Sequence, residues 1–449
     1  MARYFGVPLR NGLPIGLGSV IGLSGPVDPD FAADNIELED GADLLLESGG
    51  LILLEGLMPT LWLDFQYSTS LDPRITFTRA STATYFNSSG VLTTAASGAA
   101  RFTYNPSTLQ PLGLLIEEAR TNLFLQSQFA SGWSFSNASF TSTTVAPDGT
   151  NTGRVLNDSS AAAAGYTFQG VSVTSGTAYV FSVFAKSVGL TSITLRNFTQ
   201  AGAVAFNLTG SGSADTPTGT FSSPEITAVG NGWYRCSVIF TATGTASNNI
   251  AFVVNPIAST GEAFAIWGAQ LEAGAFPTSY IPTTTTALTR NADVASMTGT
   301  NFSSWYNASQ GTIVAEYVYS TTGVSNQCAY SLDNGTSSET IIMASTTPAI
   351  DRPLSSAGGV GQLTGGLGNY TFTAQQLIKR AVAYKLNDYG TSVNGGAAAT
   401  DTTYTVPSPD RLTIGAAGYF SGSRLNGTIR RIAYYNTRLT NAQLQALTT

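Results

Sequence analysis

Histidine is absent from all 449 residues, which removes the only side chain whose unperturbed pKa lies near neutrality. Ser-His-Asp and Cys-His nucleophile activation within one chain are thereby excluded, as are His-ligated zinc sites. Charge is scarce as well: Asp, Glu, Lys and Arg make up 10% of the chain, against roughly 25% in an average soluble domain. Lysine occurs only at Lys186, Lys379 and Lys385, and the formal net charge is −7. Such a chain has no basic field to replace counterions on nucleic acid or to dock on anionic lipid. No apolar run approaches the ~18 residues of a membrane-spanning helix, so a soluble protein without membrane insertion is expected. Residues 15–21 are apolar but are broken by Gly16 and Gly18 and follow Pro14 and Asn11. This is not the basic-then-apolar order of a signal peptide, and the stretch is expected to belong to the mature protein. The two cysteines, Cys236 and Cys328, fall in what the patterning below marks as different domains. Each is expected to be a small buried residue and not half of a disulfide.

One catalytic option survives, a carboxylate pair of the kind glycosidases use. Glu262, Glu272, Asp333 and Asp351 are candidates, but the geometry that defines such a pair is spatial and their spacing shows none. Scattered acids in a β-rich chain ordinarily serve as solvated or hydrogen-bonded loop residues. A non-catalytic protein with no cofactor and no metal is the expectation.

Gly, Ser, Thr and Asn supply the wet surface that charges do not, which suits short strands joined by tight turns. Length favours two globular domains preceded by smaller pieces. Residues 1–30 carry isolated apolar side chains, Tyr4, Phe5, Leu13, Leu17 and Ile21, without a period long enough to fold alone, and read as an arm that attaches to a partner. In residues 31–60, Glu39, Glu47 and Glu55 recur every eight residues, each after leucines and before glycine. The pattern reads as short repeated strands whose leucines, Leu46 and Leu54 among them, need a neighbouring subunit or a docking protein. A local meander within a larger domain is the other reading.

Residues 61–129 form a β-rich connector and residues 130–286 a first sandwich, where period-two alternation is clean. Tyr179, Phe181 and Val183 share one strand face, and Tyr234, Cys236, Val238 and Phe240 another. After the polar run 283–286, residues 287–449 carry further strands, an Asn394-Gly395 turn and a terminal helix capped by Thr440 ahead of Ala442, Leu444 and Leu447. The expected fold class is all-β, with tandem jelly-roll β-sandwiches behind an N-terminal β-rich attachment region.

Three stretches resemble known families. The wording ITFTRASTATYFNSSGVL at residues 75–92, followed by PLGLLIEEARTNLFLQSQ at 111–128, resembles a connector of bacteriophage tail-fibre and other virion structural proteins, and the leucine-glutamate-glycine repeat resembles their N-terminal segments. IWGAQLEAGAFPTSYIP at 266–282 resembles the last strand of carbohydrate-binding-module-like jelly rolls of phage proteins. The order of strands after residue 380, ending in RLTNAQLQALT at 438–448, resembles concanavalin A-like and laminin-G-like jelly rolls.

These resemblances imply a virion surface protein, fibre-like, attached to other virion proteins of the capsid or tail by its N-terminal region. It would present glycan-binding-type sandwiches to the host surface, as a homo-oligomer and plausibly a homotrimer. A head fibre or capsid decoration protein is one alternative, and a polysaccharide-degrading depolymerase the other. For ligand contact, Trp233 and Trp267 offer rings that would stack on a pyranose or pack in a sheet. Tyr370, Tyr419 and Phe420 offer the same. Asn387, Asp388 and Tyr389, like Asp333-Asn334-Gly335, supply the oxygens that some concanavalin A-like proteins place around calcium. They are equally ordinary turn residues.

Overall fold

The computed structural model describes residues 58–449, apart from 161, 255–260, 323 and 347–348 and the side chains of Glu262, Phe420 and Ser421. The attachment residues Tyr4, Phe5, Leu13, Leu17, Ile21, Leu46 and Leu54 lie outside the described residues, as do the arm and nearly all of the leucine-glutamate-glycine repeat. The described part is all-β. Its strands are antiparallel throughout and stack as sandwiches, and its helices are two short ones, Thr300–Ser303 and Asn441–Leu447. No helix of the described residues is long and apolar enough to cross a membrane.

The first sandwich is built from two six-stranded sheets. One runs Phe221–Ala228, Trp233–Thr241, Ala178–Ser187, Gly261–Ala273, Gly153–Asp158, Ala138–Thr144. The other runs Ser213–Ala214, Gly202–Asn207, Ser192–Asn197, Ala246–Val253, Tyr166–Val173, Ser134–Ser136. Alternation decides which side chains meet between them. Tyr179, Phe181, Val183, Tyr234, Cys236, Val238 and Phe240 share one core with Ile193, Leu195, Ile250 and Phe252 of the facing sheet. The alternate residues of the first sheet are buried too. Phe184, Trp233, Ala265 and Trp267 form a second cluster on its outer face with Leu92, Ala146 and Tyr280, against which Phe86 packs. Phe86 and Leu92 come from the hairpin pairing Ala83–Phe86 with Leu92–Ala95, so the segment before the sandwich covers its outer face.

The second sandwich also has two sheets, each of eight strands. Four of the strands within residues 61–116 belong to them, and only the 83–95 hairpin stands apart as a sheet of its own. Leu61–Asp64 pairs with Gly427–Tyr435 (Leu63 opposite Ile432), and Pro111–Ile116 pairs with the other end of that strand. Thr76–Thr78 pairs with Val294–Thr298 in the opposite sheet. Gly113 has φ +102°, and a Cβ there would lie 2.1 Å from the Ile429 carbonyl oxygen. Only glycine permits that approach of the two strands. Leu61, Leu63, Phe65, Ile75, Leu114 and Ile116 enter the same core as Tyr317, Leu332, Ile414 and Ile432. Both cysteines are buried and free, and burial pushes both thiols up. The terminal helix carries the expected cap: Thr440 Oγ1 accepts from the Gln443 N–H, and Gln443 answers in a capping box.

Candidate functional site

The junction between the sandwiches comes first, because it fixes what surrounds the site. The stretch GLLIEEARTN, read from the sequence as connector wording, supplies Glu117, Glu118, Arg120 and Asn122, and all four are tied down. Arg101 and Arg290 each place Nη1 2.7 Å from Glu117 Oε2. The Ser279 N–H and hydroxyl both donate to Glu117 at 2.7 Å. Asp293 accepts from Arg79 at 3.0 Å and from Arg101 at 2.5 Å. Burial alone would push the Glu117 carboxyl up, but the guanidiniums of Arg290 and Arg101 with the two Ser279 bonds outweigh it and hold it down at about 2. Asn122 donates to the Ala269 and Ile281 carbonyls and accepts from the Phe124 and Leu271 N–H groups. This network is closed and holds segments together. It presents no opening to a ligand.

An opening does exist at the edge of the first sandwich. The strands Ser134–Ser136 and Ala138–Thr144 follow one another through Asn137 at φ +49° and lie at the edges of opposite sheets. Asparagine tolerates that left-handed conformation at little cost. Between these edges lies a recess of about 390 Å³ lined by Phe129, Trp133, Phe135, Ser139, Phe140 and Arg154, among others. Its floor is aromatic: Phe129 and Trp133 have ring centroids 4.5 Å apart and reach Phe252 of the core. The wall is Phe135, 41% exposed and set at 88° to Phe140 with centroids 5.1 Å apart. Chemically, a half-open aromatic recess with hydroxyls and a guanidinium at its rim suits a ligand that has both apolar faces and polar edges.

The residues singled out from the sequence lie elsewhere. Trp233 and Trp267 are buried under the 83–95 hairpin, with Nε1–H bonded to the Val145 carbonyl and Thr152 Oγ1 respectively. They pack, and offer no ring face to a sugar. The tryptophan with an open edge is Trp62, 47% exposed, with Arg431 Cζ 4.9 Å from its ring centroid. Tyr389 is also a core residue, its ring tilted against that of Tyr404 with centroids 4.9 Å apart. Asn387 sits in a turn at φ +56°, and its neighbour Asp388 pairs with Arg438 at 2.8 Å. The Tyr370 hydroxyl accepts from Gln376 and Asn394. Tyr419, 38% exposed, borders a separate hollow of about 150 Å³ floored by Cys328, Ile342 and Ala344. The side chain of Phe420 lies outside the described residues. These positions are not gathered into one site.

The candidate acids are likewise occupied. Asp351 accepts from Tyr317, Tyr319 and Arg380, Glu272 from Gln270 and Thr278, and Asp333 from Ser331, Gly335 and Gly418. Glu262 is undescribed in its side chain. Among the described residues, no carboxylate lines the aromatic recess.

No family model and no curated protein sequence matches the chain. Among solved structures it is similar to the CBM40 module of the Ruminococcus gnavus IT-sialidase, at 20% identity over 33% of this chain and 88% of that one, with a TM-score of 0.26. It is similar to domain 4 of AbnA, a GH43 extracellular arabinanase from Geobacillus stearothermophilus, at 10% identity over 39% of this chain and 82% of that one, TM-score 0.29. A Trypanosoma rangeli sialidase matches at 11% identity over 66% of this chain and 60% of that one, TM-score 0.28.

Proposed function

We propose that this chain is a non-catalytic, glycan-binding surface protein that takes its ligand in the aromatic recess at the edge of the first sandwich. The observation that carries this reading is the exposed Phe135 ring set against Phe140 above a recess of about 390 Å³. A pyranose presents a face of C–H groups that packs on an aromatic ring, while its hydroxyls need partners at the rim. Phe135 and Phe140 supply the first, and Ser139 and Arg154 the second. Phe135→Ala is expected to weaken glycan affinity about tenfold, the effect of losing ~1.4 kcal/mol of stacking, with the thermal midpoint unchanged. The measurement is calorimetric titration of both proteins with the best oligosaccharide from a glycan array. An array without a single hit would overturn the reading.

The protein belongs, on the same reading, to the surface of a bacteriophage particle, as a fibre-like subunit whose N-terminal region engages other virion proteins. Support comes from the resemblance of residues 75–92 and 111–128 to virion connectors. Shallow single-site contacts gain avidity when copies are held together, so a homotrimer suits adhesion. Electron microscopy of purified particles labelled with antibody against residues 287–449 is expected to show label clustered at one vertex or at the tail tip. Label spread over a capsid lattice would instead favour a head decoration role, and unlabelled particles would remove the protein from the virion.

A further inference from the structure

Arg154 occupies a place where an arginine is expensive. It lies on the strand Gly153–Asp158, opposite Thr143 on one side and Ile266 on the other. Its neighbour Val155 points to the outer face, into the cluster with Trp233 and Trp267. Arg154 therefore projects to the core-facing side, at the edge where Phe129 and Phe140 end the core, and lines the recess. A cation at such a position normally carries a counter-charge, because desolvating it unpaired costs several kcal/mol. Arg79, Arg101, Arg120, Arg290 and Arg380 are so paired, while Arg235 instead donates to Ser182 and the Thr278 carbonyl. The Arg154 side chain, which lines the recess, has neither an ion pair nor a hydrogen-bond partner among the described residues, and its Nε is buried. The recess thus holds a guanidinium that no carboxylate among the described residues pairs, beside the exposed ring of Phe135.

We infer that the ligand of the recess is an acidic glycan whose sugar carboxylate pairs with Arg154 while the ring packs on Phe135 and Phe140. A planar guanidinium matches a carboxylate with two parallel hydrogen bonds, which a neutral sugar hydroxyl cannot equal. The inference rests on the glycan-binding reading above and adds the chemical class of the sugar. Attraction here is local, since the chain as a whole is acidic, at −7.

The test is an array on which uronate- and sialate-bearing oligosaccharides are printed beside their carboxyl-reduced counterparts and beside sulfated neutral ones, probed with the full chain. Wild type is expected to favour at least one carboxylated glycan over its reduced counterpart by about tenfold or more. Arg154→Gln should shrink that ratio to within about twofold, and Arg154→Lys, a point charge without the fork, should keep part of it. Phe135→Ala should weaken both members of a pair alike. Equal binding of acidic and reduced members, binding of the sulfated members alone, or an unchanged ratio in Arg154→Gln would overturn this inference and leave the glycan reading standing. Binding to nothing on the array would overturn both. Equal thermal midpoints for the variants and wild type show that the recess, not the fold, has been changed.

Discussion

Replacing Glu117 with glutamine is expected to destabilise the folded chain by about 3–5 kcal/mol at neutral pH, the usual cost of removing one partner from a buried ion pair. Glutamine keeps the shape of the side chain, so no cavity accompanies the change. What is lost is the charge between two buried guanidiniums, Arg101 and Arg290, both 2.7 Å from the same carboxylate oxygen. With Glu117 neutral, Asp293 is left as the carboxylate bonded to Arg79 and Arg101, and Arg290 keeps only Ser279 and the Glu118 carbonyl. The pH dependence has a definite sign. A carboxyl held at about 2, below its ordinary 4.5, contributes stability that is complete above about pH 4.5 and is lost as pH falls through that value toward 2. Urea unfolding of wild type and variant across that range should show the gap between them closing as acid is added. A gap that stays constant would mean that the Glu117 charge is not what the junction depends on.

The prominence of that network also explains which parts of the molecule were legible in the sequence. A period of two reports one face of a strand, and it assigned Tyr179, Phe181, Val183, Cys236 and Val238 to the core that they occupy. It says nothing of the other face when that is buried as well, so Trp233 and Trp267 read as rings that either stack on a pyranose or pack in a sheet, and only the hairpin some 140 residues upstream of Trp233 decides for packing. Local chemistry was readable for a similar reason. The Thr440 cap needs only Gln443, three residues on. The sites of Arg79, Arg101, Glu117, Arg290 and Asp293 needed pairings across as many as 214 positions, and no spacing rule spans that distance.

The recess was missed although its signal lies in the chain. Trp133, Phe135 and Phe140 alternate with serines in GWSFSNASF, a pattern that puts Trp133 and Phe135 on one face and predicts core for both. Trp133 is buried, whereas Phe135, on an edge strand of three residues, is 41% exposed with Phe140 of the facing sheet's edge strand at its side. An aromatic that alternation sends to the core but that stays exposed on an edge strand is the signal on which the proposed site rests. Arg154 completes the same logic, as a charge on the face that the next strand position but one, Leu156, turns to the core.

Residues 287–449 expressed alone are expected not to fold, whereas residues 59–449 should unfold cooperatively. Composition marks residue 287 as a boundary, because a polar threonine run precedes it, but the strands ignore that mark. The shorter chain lacks Leu61, Leu63, Phe65, Ile75, Leu114 and Ile116 from the second core. Each loss of a large buried side chain costs about 2–5 kcal/mol. Six such losses amount to about 12–30 kcal/mol, which matches or exceeds the ~5–15 kcal/mol of net stability that a typical protein has to lose. The strand Gly427–Tyr435 would in addition lose its partners Leu61–Asp64 and Pro111–Ile116, exposing unpaired N–H and C=O groups to other chains. Circular dichroism with amide-proton dispersion by NMR distinguishes the outcomes. A sharp, reversible transition in the 287–449 fragment would show that the upstream strands are an addition to a self-sufficient sandwich and not part of its foundation.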